Sequence, residues 1–178
     1  MFEGMTEQRR RRAITAHADG SVIGPAIAAA AFVLVLGTFV YLLDRPLGSV
    51  PFFAGISLAD TLPISLGTLG SIFPSFAHTF AFAAMTAALM SRQRDVGLAC
   101  LAWLGVELAF EVGQLPTVAS ALAARVPSGH ASLPVLSDAL GYFANGTFDP
   151  WDLISAGLGA LAAYGFVTVS ARRSVHGE

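Results

Sequence analysis

The stretch "AIAAAAFVLVLGTFVYLL", at Ala26–Leu43, lies within a longer run, residues 20–43, that contains no charged side chain. A helix needs about 20 mainly apolar residues to cross the hydrocarbon core of a bilayer. The run is also longer than the apolar part of a secretory signal, roughly 7–15 residues, although Arg9–Arg12 precede it. We therefore predict an uncleaved first transmembrane helix over residues 22–43.

The rest of the chain has the composition of a membrane protein. Of its 178 residues, 54% are hydrophobic and 12% are charged, whereas soluble domains average roughly 25% charged residues. Further apolar runs predict three more spans, at 72–91, 96–115 and 151–171. We expect an all-α membrane protein, a bundle of four transmembrane helices with short interfacial helices in its two outward loops.

The basic residues, all of them arginine, predict the orientation of the bundle. Four spans place both termini on one side, and eight arginines fall on that side against two, Arg45 and Arg125, on the other. Because cytoplasmic loops carry the excess of basic residues, we predict a multi-pass cell-membrane protein with both termini cytoplasmic. Residues 1–21 are then a polar cytoplasmic segment, 22–171 the transmembrane domain and 172–178 a cytoplasmic tail.

The two outward loops have sequences suited to the membrane interface. The first, near 44–70, is apolar and rich in glycine and proline. The second, near 116–150, contains "TVASALAARV" and "VLSDALGYFANG", which predict two short interfacial helices, and the turn-rich "PSGHASLP" separates them.

The stretch "ELAFEVGQLP" places three polar side chains inside an apolar run. Glu107, Glu111 and Gln114 stand at i, i+4 and i+7, so they share one face of a helix. With a rise of about 1.5 Å per residue, His78 of the second span lies at a similar depth. The helical rise predicts the depth of each residue in the bilayer. We assume in addition that the residues of the different helices converge on one site. We predict a polar site in the outer half of the bundle.

Ionisable groups inside a membrane are costly, roughly 2.5–3.5 kcal/mol for a charge at the bilayer centre, and are usually paired and functional. His78 is the expected partner of Glu111 or Glu107. We take these three as candidate catalytic residues, with Glu111 as general acid or base and His78 orienting it or relaying its proton. The structural alternative is a hydrogen-bond network that locks the helices together.

Two aspartates at the start of the last span complete the predicted site. Asp149 and Asp152, with Gln114, are the candidate substrate-binding residues. Asp149 precedes a proline, so its alternative role is that of an N-cap, with Asp152 in the first helical turn. A divalent metal on His78 and the carboxylates is a variant, but no spacing is diagnostic. We therefore assign no metal ligand, and the cofactor is unknown.

The order H…E-x-x-Q…D-x-x-x-x-x-x-G, across spans two to four, resembles the VanZ-like family of small bacterial membrane proteins. The matching residues, within roughly 71–165, are His78, Glu111, Gln114, Asp152 and Gly159. The chain departs from the family pattern in two places, with Ala156 where an asparagine is frequent and with Arg125 later than the family's arginine. The resemblance implies a bacterial inner membrane and a cell-envelope role, and the family's founding member is linked to resistance to a teicoplanin-type glycopeptide.

Several functions fit these features. The first is an envelope enzyme or accessory factor acting on a lipid-linked or cell-wall substrate, with the lipid bilayer and a glycopeptide-type ligand as possible partners. The second is binding without chemistry, or a subunit of a membrane assembly in which the polar cluster is structural. A small proton-coupled transporter ranks last, because the polar groups occupy only the outer half. The arginines flank spans, so no nucleic-acid partner is expected. The oligomeric state is left open.

Overall fold

The computed structural model describes residues 22–44, 62, 66–125 and 134–176, and every regular element within these ranges is an α-helix. The helices are α1 (Ile23–Asp44), α2 (Thr68–Ala88), α3 (Gln93–Gly113), α4 (Pro116–Arg125), α5 (Pro134–Asn145) and α6 (Pro150–His176). The predicted cytoplasmic segment 1–21, most of the first outward loop and most of "PSGHASLP" lie outside the described residues, as do Arg9–Arg12 and Arg45.

Three of the described helices are long and apolar enough to cross a membrane. They are α1, α3 and the segment Pro150–Ser174 of α6. Most side chains in each apolar segment are not buried by the protein itself, with 22–33% of the segment inside. Exposed apolar side chains on helices of this length identify a helical membrane protein.

Helix α2 lies at the centre of the helical packing. It packs against α1, α3 and α6, and its buried side chains are mostly small, including Ala77, Ala81, Ala84 and Ala88. Helix α2 is not one of the three helices that are long and apolar enough to cross a membrane. Its neighbours cover much of its surface, so fewer of its side chains have to face lipid.

Small residues allow α6 to lie directly against α2. A Cβ atom on Gly159 would stand 2.6 Å from the carbonyl oxygen of Phe76. On the same face of α6, Ala163 is fully buried, and Ser155 donates a hydrogen bond to the Ile72 carbonyl at 2.7 Å. The sequence pattern of Ser155, Gly159 and Ala163 predicts close helix packing, and this prediction is confirmed.

Two side-chain hydrogen bonds fix the position of α3 along its neighbours. The Trp103 indole donates to the Thr86 hydroxyl at 2.9 Å, and the Gln93 amide donates to the Thr168 hydroxyl at 2.9 Å. The Trp103 ring also stacks on Phe82, with 4.8 Å between ring centroids. A Cβ on Gly97 would lie 3.8 Å from the Tyr164 ring, so α3 is antiparallel to α6, and the four-residue connection 89–92 makes it antiparallel to α2.

The helix bounds agree with the sequence predictions to within a few residues. Helix α2 begins at Thr68 rather than residue 72, and α3 ends at Gly113 rather than residue 115. The two short helices α4 and α5 occur where the second outward loop predicts them. Helix α6 continues to His176, so residues 172–176 of the predicted tail are helical.

Candidate functional site

A buried carboxylate, that of Glu111, is the centre of the candidate site. Its side chain is 6% exposed and lies half a turn before the end of α3. Its Oε1 accepts a hydrogen bond from the Gln114 amide at 3.2 Å. Its Oε2 accepts one from the backbone N–H of Asp149 at 3.1 Å. Both carboxylate oxygens are therefore held by donors from two different segments of the chain.

The end of α3 explains how Gln114 reaches Glu111. Gln114 caps the helix in αR conformation, and its backbone N–H donates to the Glu111 carbonyl. The chain then turns at Leu115 and enters α4 at Pro116. The Gln114 side chain is thus kept one turn from Glu111, where it is 6% exposed.

Tyr142 of α5 is a further member of the cluster that the sequence did not predict. Its hydroxyl accepts a hydrogen bond from the Gln114 amide at 3.3 Å. Desolvation by the surrounding protein, together with nearby Glu111, raises the pKa of Tyr142 above its ordinary value. The hydroxyl therefore stays neutral and can donate a hydrogen bond to a ligand. The one available signal was a tyrosine in a predicted helix just before the last span.

Helix α5 is fixed onto the end of α3 by close contacts. The Phe143 and Tyr142 rings lie 5.6 Å and 5.9 Å from that of Phe110, centroid to centroid. Just beyond α5, Gly146 touches Gln114 so closely that an added Cβ would stand 2.6 Å from the amide carbon. These contacts hold α5 over the cluster, and a larger residue at position 146 would have to displace the Gln114 side chain.

Asp149 acts on the cluster through its backbone. Its side-chain Oδ1 accepts a hydrogen bond from the Trp151 N–H at 2.9 Å, which is the geometry of an N-cap. Its own N–H donates to Glu111. The capping role that the sequence offered as the alternative is confirmed, and it places the start of α6 against the end of α3.

Two further carboxylates lie beside Glu111. Glu107 and Asp152, both half-buried, are close enough to each other and to Glu111 for electrostatic repulsion. In the part of the chain that the structure describes, neither Glu107 nor Glu111 forms an ion pair. The site therefore concentrates acidic groups at one end of the bundle.

His78 does not join this cluster. Its side chain is exposed, and its ring neighbour is Phe82, 6.3 Å away between ring centroids. Among the described residues it forms no hydrogen bond or ion pair with Glu107 or Glu111. The expected pairing of His78 with one of the glutamates is therefore wrong.

The direction of His78 around its helix explains this outcome. Phe82 of α2 stacks on Trp103 of α3. Because the two helices are antiparallel, His78, four residues before Phe82, lies level with Glu107, four residues after Trp103, as the helical rise predicts. However, α2 buries its neighbours Ala77 and Thr79 against other helices, and each residue turns the helix by about 100°. His78 consequently points away from the other helices, to the outside of the bundle.

The structure thus brings five of the six predicted site residues into one cluster and leaves one outside it. The five are Glu107, Glu111, Gln114, Asp149 and Asp152, and the exception is His78. Across the described ranges, no three side chains of His, Cys, Asp and Glu are arranged to hold a metal ion.

No protein-family model, no curated protein and no solved structure matches this chain. The resemblance to the VanZ-like family therefore depends on the sequence motif alone. The fold and the site together define a class, a helical membrane protein with a buried carboxylate and amide cluster at one end.

Proposed function

We propose that α2 is a fourth transmembrane span. Its 21 residues give a length of about 31 Å, close to the thickness of the hydrocarbon core. It runs alongside three apolar helices, parallel to α6 and antiparallel to α3. A helix packed lengthwise among three spans crosses the bilayer with them. Helices α4 and α5, at the cluster end, then lie at the membrane interface.

The cluster faces outward in this arrangement. Arg92, Arg94 and Arg172 lie at the end of the helices opposite to Glu111, and cytoplasmic ends carry the excess of basic residues. Both termini are then cytoplasmic, and the cluster opens on the extracytoplasmic side of a cell membrane, in a bacterial inner membrane if the family resemblance holds.

The function supported best is that of a VanZ-like membrane protein whose cluster works in the cell envelope on, or together with, a lipid-linked or cell-wall substrate. A glycopeptide-type ligand is included in this class. The observation that carries the proposal is the buried, doubly hydrogen-bonded Glu111, because intramembrane carboxylates are costly and are kept where they act.

Each residue has a defined part in this proposal. Glu111 takes or gives a proton, while Gln114 and the Asp149 N–H hold its two oxygens in one orientation. Tyr142 offers a neutral hydroxyl beside Gln114. Glu107 and Asp152 supply negative charge around Glu111. His78, level with Glu107 on the outer surface, contacts the lipid portion of a lipid-linked substrate.

The second candidate is a non-catalytic accessory subunit in which the cluster is structural. One observation favours it. Both Glu111 oxygens already have donors within the protein, and Asp149 is used as a helix cap. A network of this kind can lock α3, α5 and α6 together without a ligand.

Substitution of Glu111 by Gln separates the two candidates. The variant keeps the size of the side chain but removes its charge, its proton transfer and one of its two hydrogen-bond acceptors. Glu111→Gln and His78→Ala are compared with Asp95→Asn, which changes an acidic residue at the opposite end of α3. Expression, thermal unfolding in detergent and glycopeptide susceptibility of producing cells are measured.

The working-site proposal predicts a folded Glu111→Gln protein that has lost the envelope phenotype, while Asp95→Asn retains it. Loss of the fold in Glu111→Gln supports the structural candidate. Wild-type folding and wild-type phenotype in all variants would refute a functional site.

A further inference from the structure

The end of the bundle opposite to the carboxylates carries an arginine patch, defined here as Arg92, Arg94, Arg172 and Arg173. All four side chains are exposed. Arg92 caps the start of α3 and Arg94 lies in its first turn, whereas Arg172 and Arg173 lie near the end of α6. Among the described residues of this region the acidic side chain is that of the half-buried Asp95, so the patch has a net positive charge.

A hydrogen bond brings the two parts of the patch together. Gln93, between Arg92 and Arg94, donates to the Thr168 hydroxyl at 2.9 Å. Arg172 lies one helical turn beyond Thr168, on the same face of α6, and residues so spaced are about 5–6 Å apart. The ends of α3 and α6 that carry these arginines therefore lie side by side.

Exposed apolar side chains lie next to the patch on the side of the membrane core. Leu89, three residues before Arg92, is 65% exposed, and Val169, three residues before Arg172, is 46% exposed. An apolar surface that ends in a row of arginines matches a molecule with a hydrocarbon chain and an anionic head.

We propose that the arginine patch binds an anionic phospholipid. Arg94 and Arg172 contact its phosphate, since a guanidinium group can donate two parallel hydrogen bonds to phosphate oxygens. Leu89 and Val169 contact its acyl chains. This site depends on insertion of the helices in a bilayer, which belongs to the proposed function, but it does not depend on any activity of Glu111.

A lipid is favoured over a soluble ligand by position. The patch is formed by the ends of two long helices. A phospholipid that stays inserted in the bilayer has its phosphate at that level. A free phosphate ion would use the arginines alone and leave Leu89 and Val169 unused. Lipid binding therefore uses more of the exposed surface than an ion does.

The test compares lipid binding to the full chain in detergent by native mass spectrometry. Phosphatidylglycerol and phosphatidylcholine of equal chain length are titrated against wild type, Arg94→Gln/Arg172→Gln and Arg125→Gln. Arg125 is an exposed arginine at the other end of the bundle and is the matched control. Arg9–Arg12 are present in every variant, so their attraction for anionic lipid cancels.

We expect wild type to prefer phosphatidylglycerol. Each arginine near a membrane surface contributes about a fivefold factor, so the double variant should bind phosphatidylglycerol roughly 25-fold more weakly, with phosphatidylcholine unchanged. Arg125→Gln should behave like wild type. Circular dichroism checks folding, and the single variants Arg94→Gln and Arg172→Gln, each expected to bind phosphatidylglycerol about fivefold more weakly, replace the double variant if that protein does not fold.

Three results would overturn the proposal. The first is an unchanged phosphatidylglycerol affinity in the double variant. The second is an equal loss in Arg125→Gln, which would indicate general charge attraction. The third is complete displacement of the lipid by millimolar inorganic phosphate, which would assign the patch to a free anion.

Discussion

Replacement of Gly159 by Ala tests the contact that places α6 against α2. The added Cβ would stand 2.6 Å from the Phe76 carbonyl oxygen and 3.1 Å from the Phe80 nitrogen. Ordinary van der Waals contact begins at 3.4 Å, so the two helices must separate by roughly 0.8 Å. Because both atoms belong to the backbone, no side-chain rotation can relieve the overlap.

The expected cost follows from overpacking, which destabilises buried sites by about 1–3 kcal/mol. Alanine is also a better helix former than glycine, by up to about 1 kcal/mol, and that gain offsets part of the loss. Gly157→Ala is the matched control, because nothing lies within 4 Å of a Cβ at that position. Gly157→Ala has the helix-propensity gain of alanine but no steric overlap with a neighbouring helix.

Thermal unfolding in detergent measures both variants. Gly159→Ala should unfold at a lower temperature than wild type, and Gly157→Ala at the same or a higher one. Equal unfolding temperatures for the two variants would contradict the direct backbone contact between α2 and α6.

Three further predictions concern the cluster and its supports. Gly146→Ala should displace the Gln114 amide and cost about 1–2 kcal/mol, whereas Gly141→Ala, with open space around its Cβ, should unfold like wild type; equal effects would argue against the contact. Trp103→Phe should keep the aromatic stack but lose one hydrogen bond, about 0.5–1.5 kcal/mol, and an unchanged unfolding temperature would show that the bond contributes nothing. Asp149→Ala should cost about 0.5–2 kcal/mol, with Asp149→Asn close to wild type; comparable losses in both would point to a role for the charge rather than the cap.

The membrane character of the protein could be predicted from composition alone. Apolar runs of about 20 residues have few stable structures other than a spanning helix, because lipid offers no partner for backbone groups. The same reasoning located α1, α3 and α6. For α2 the sequence likewise predicted a span, while only the structure shows that three neighbours surround it.

The polar face of α3 was also predictable. Glu107, Glu111 and Gln114 follow helical spacing, and all three are turned inward while Leu108 and Phe110 are exposed. Periodicity within one helix is a local property, so the sequence contains enough information to assign it.

The contacts that the cluster makes with other helices were not predictable, because the sequence does not show how the helices face one another. The rise per residue gives the depth of His78 but not the direction in which it points relative to α3. The Asp149 backbone and the Tyr142 hydroxyl were overlooked for a related reason. A backbone N–H has no sequence signature, and Tyr142 reaches the cluster only because α5 folds back over the end of α3.

Double-mutant cycles test most directly the claim that Gln114, and not His78, is the partner of Glu111. The free energies of unfolding in detergent are measured for Glu111→Ala, Gln114→Ala, His78→Ala and the two double variants that contain Glu111→Ala. Residues in one hydrogen-bond network couple by about 0.5–3 kcal/mol, whereas separate residues are additive. We predict coupling in this range for Glu111 with Gln114 and additivity for Glu111 with His78. Coupling to His78 with additivity toward Gln114 would contradict the account.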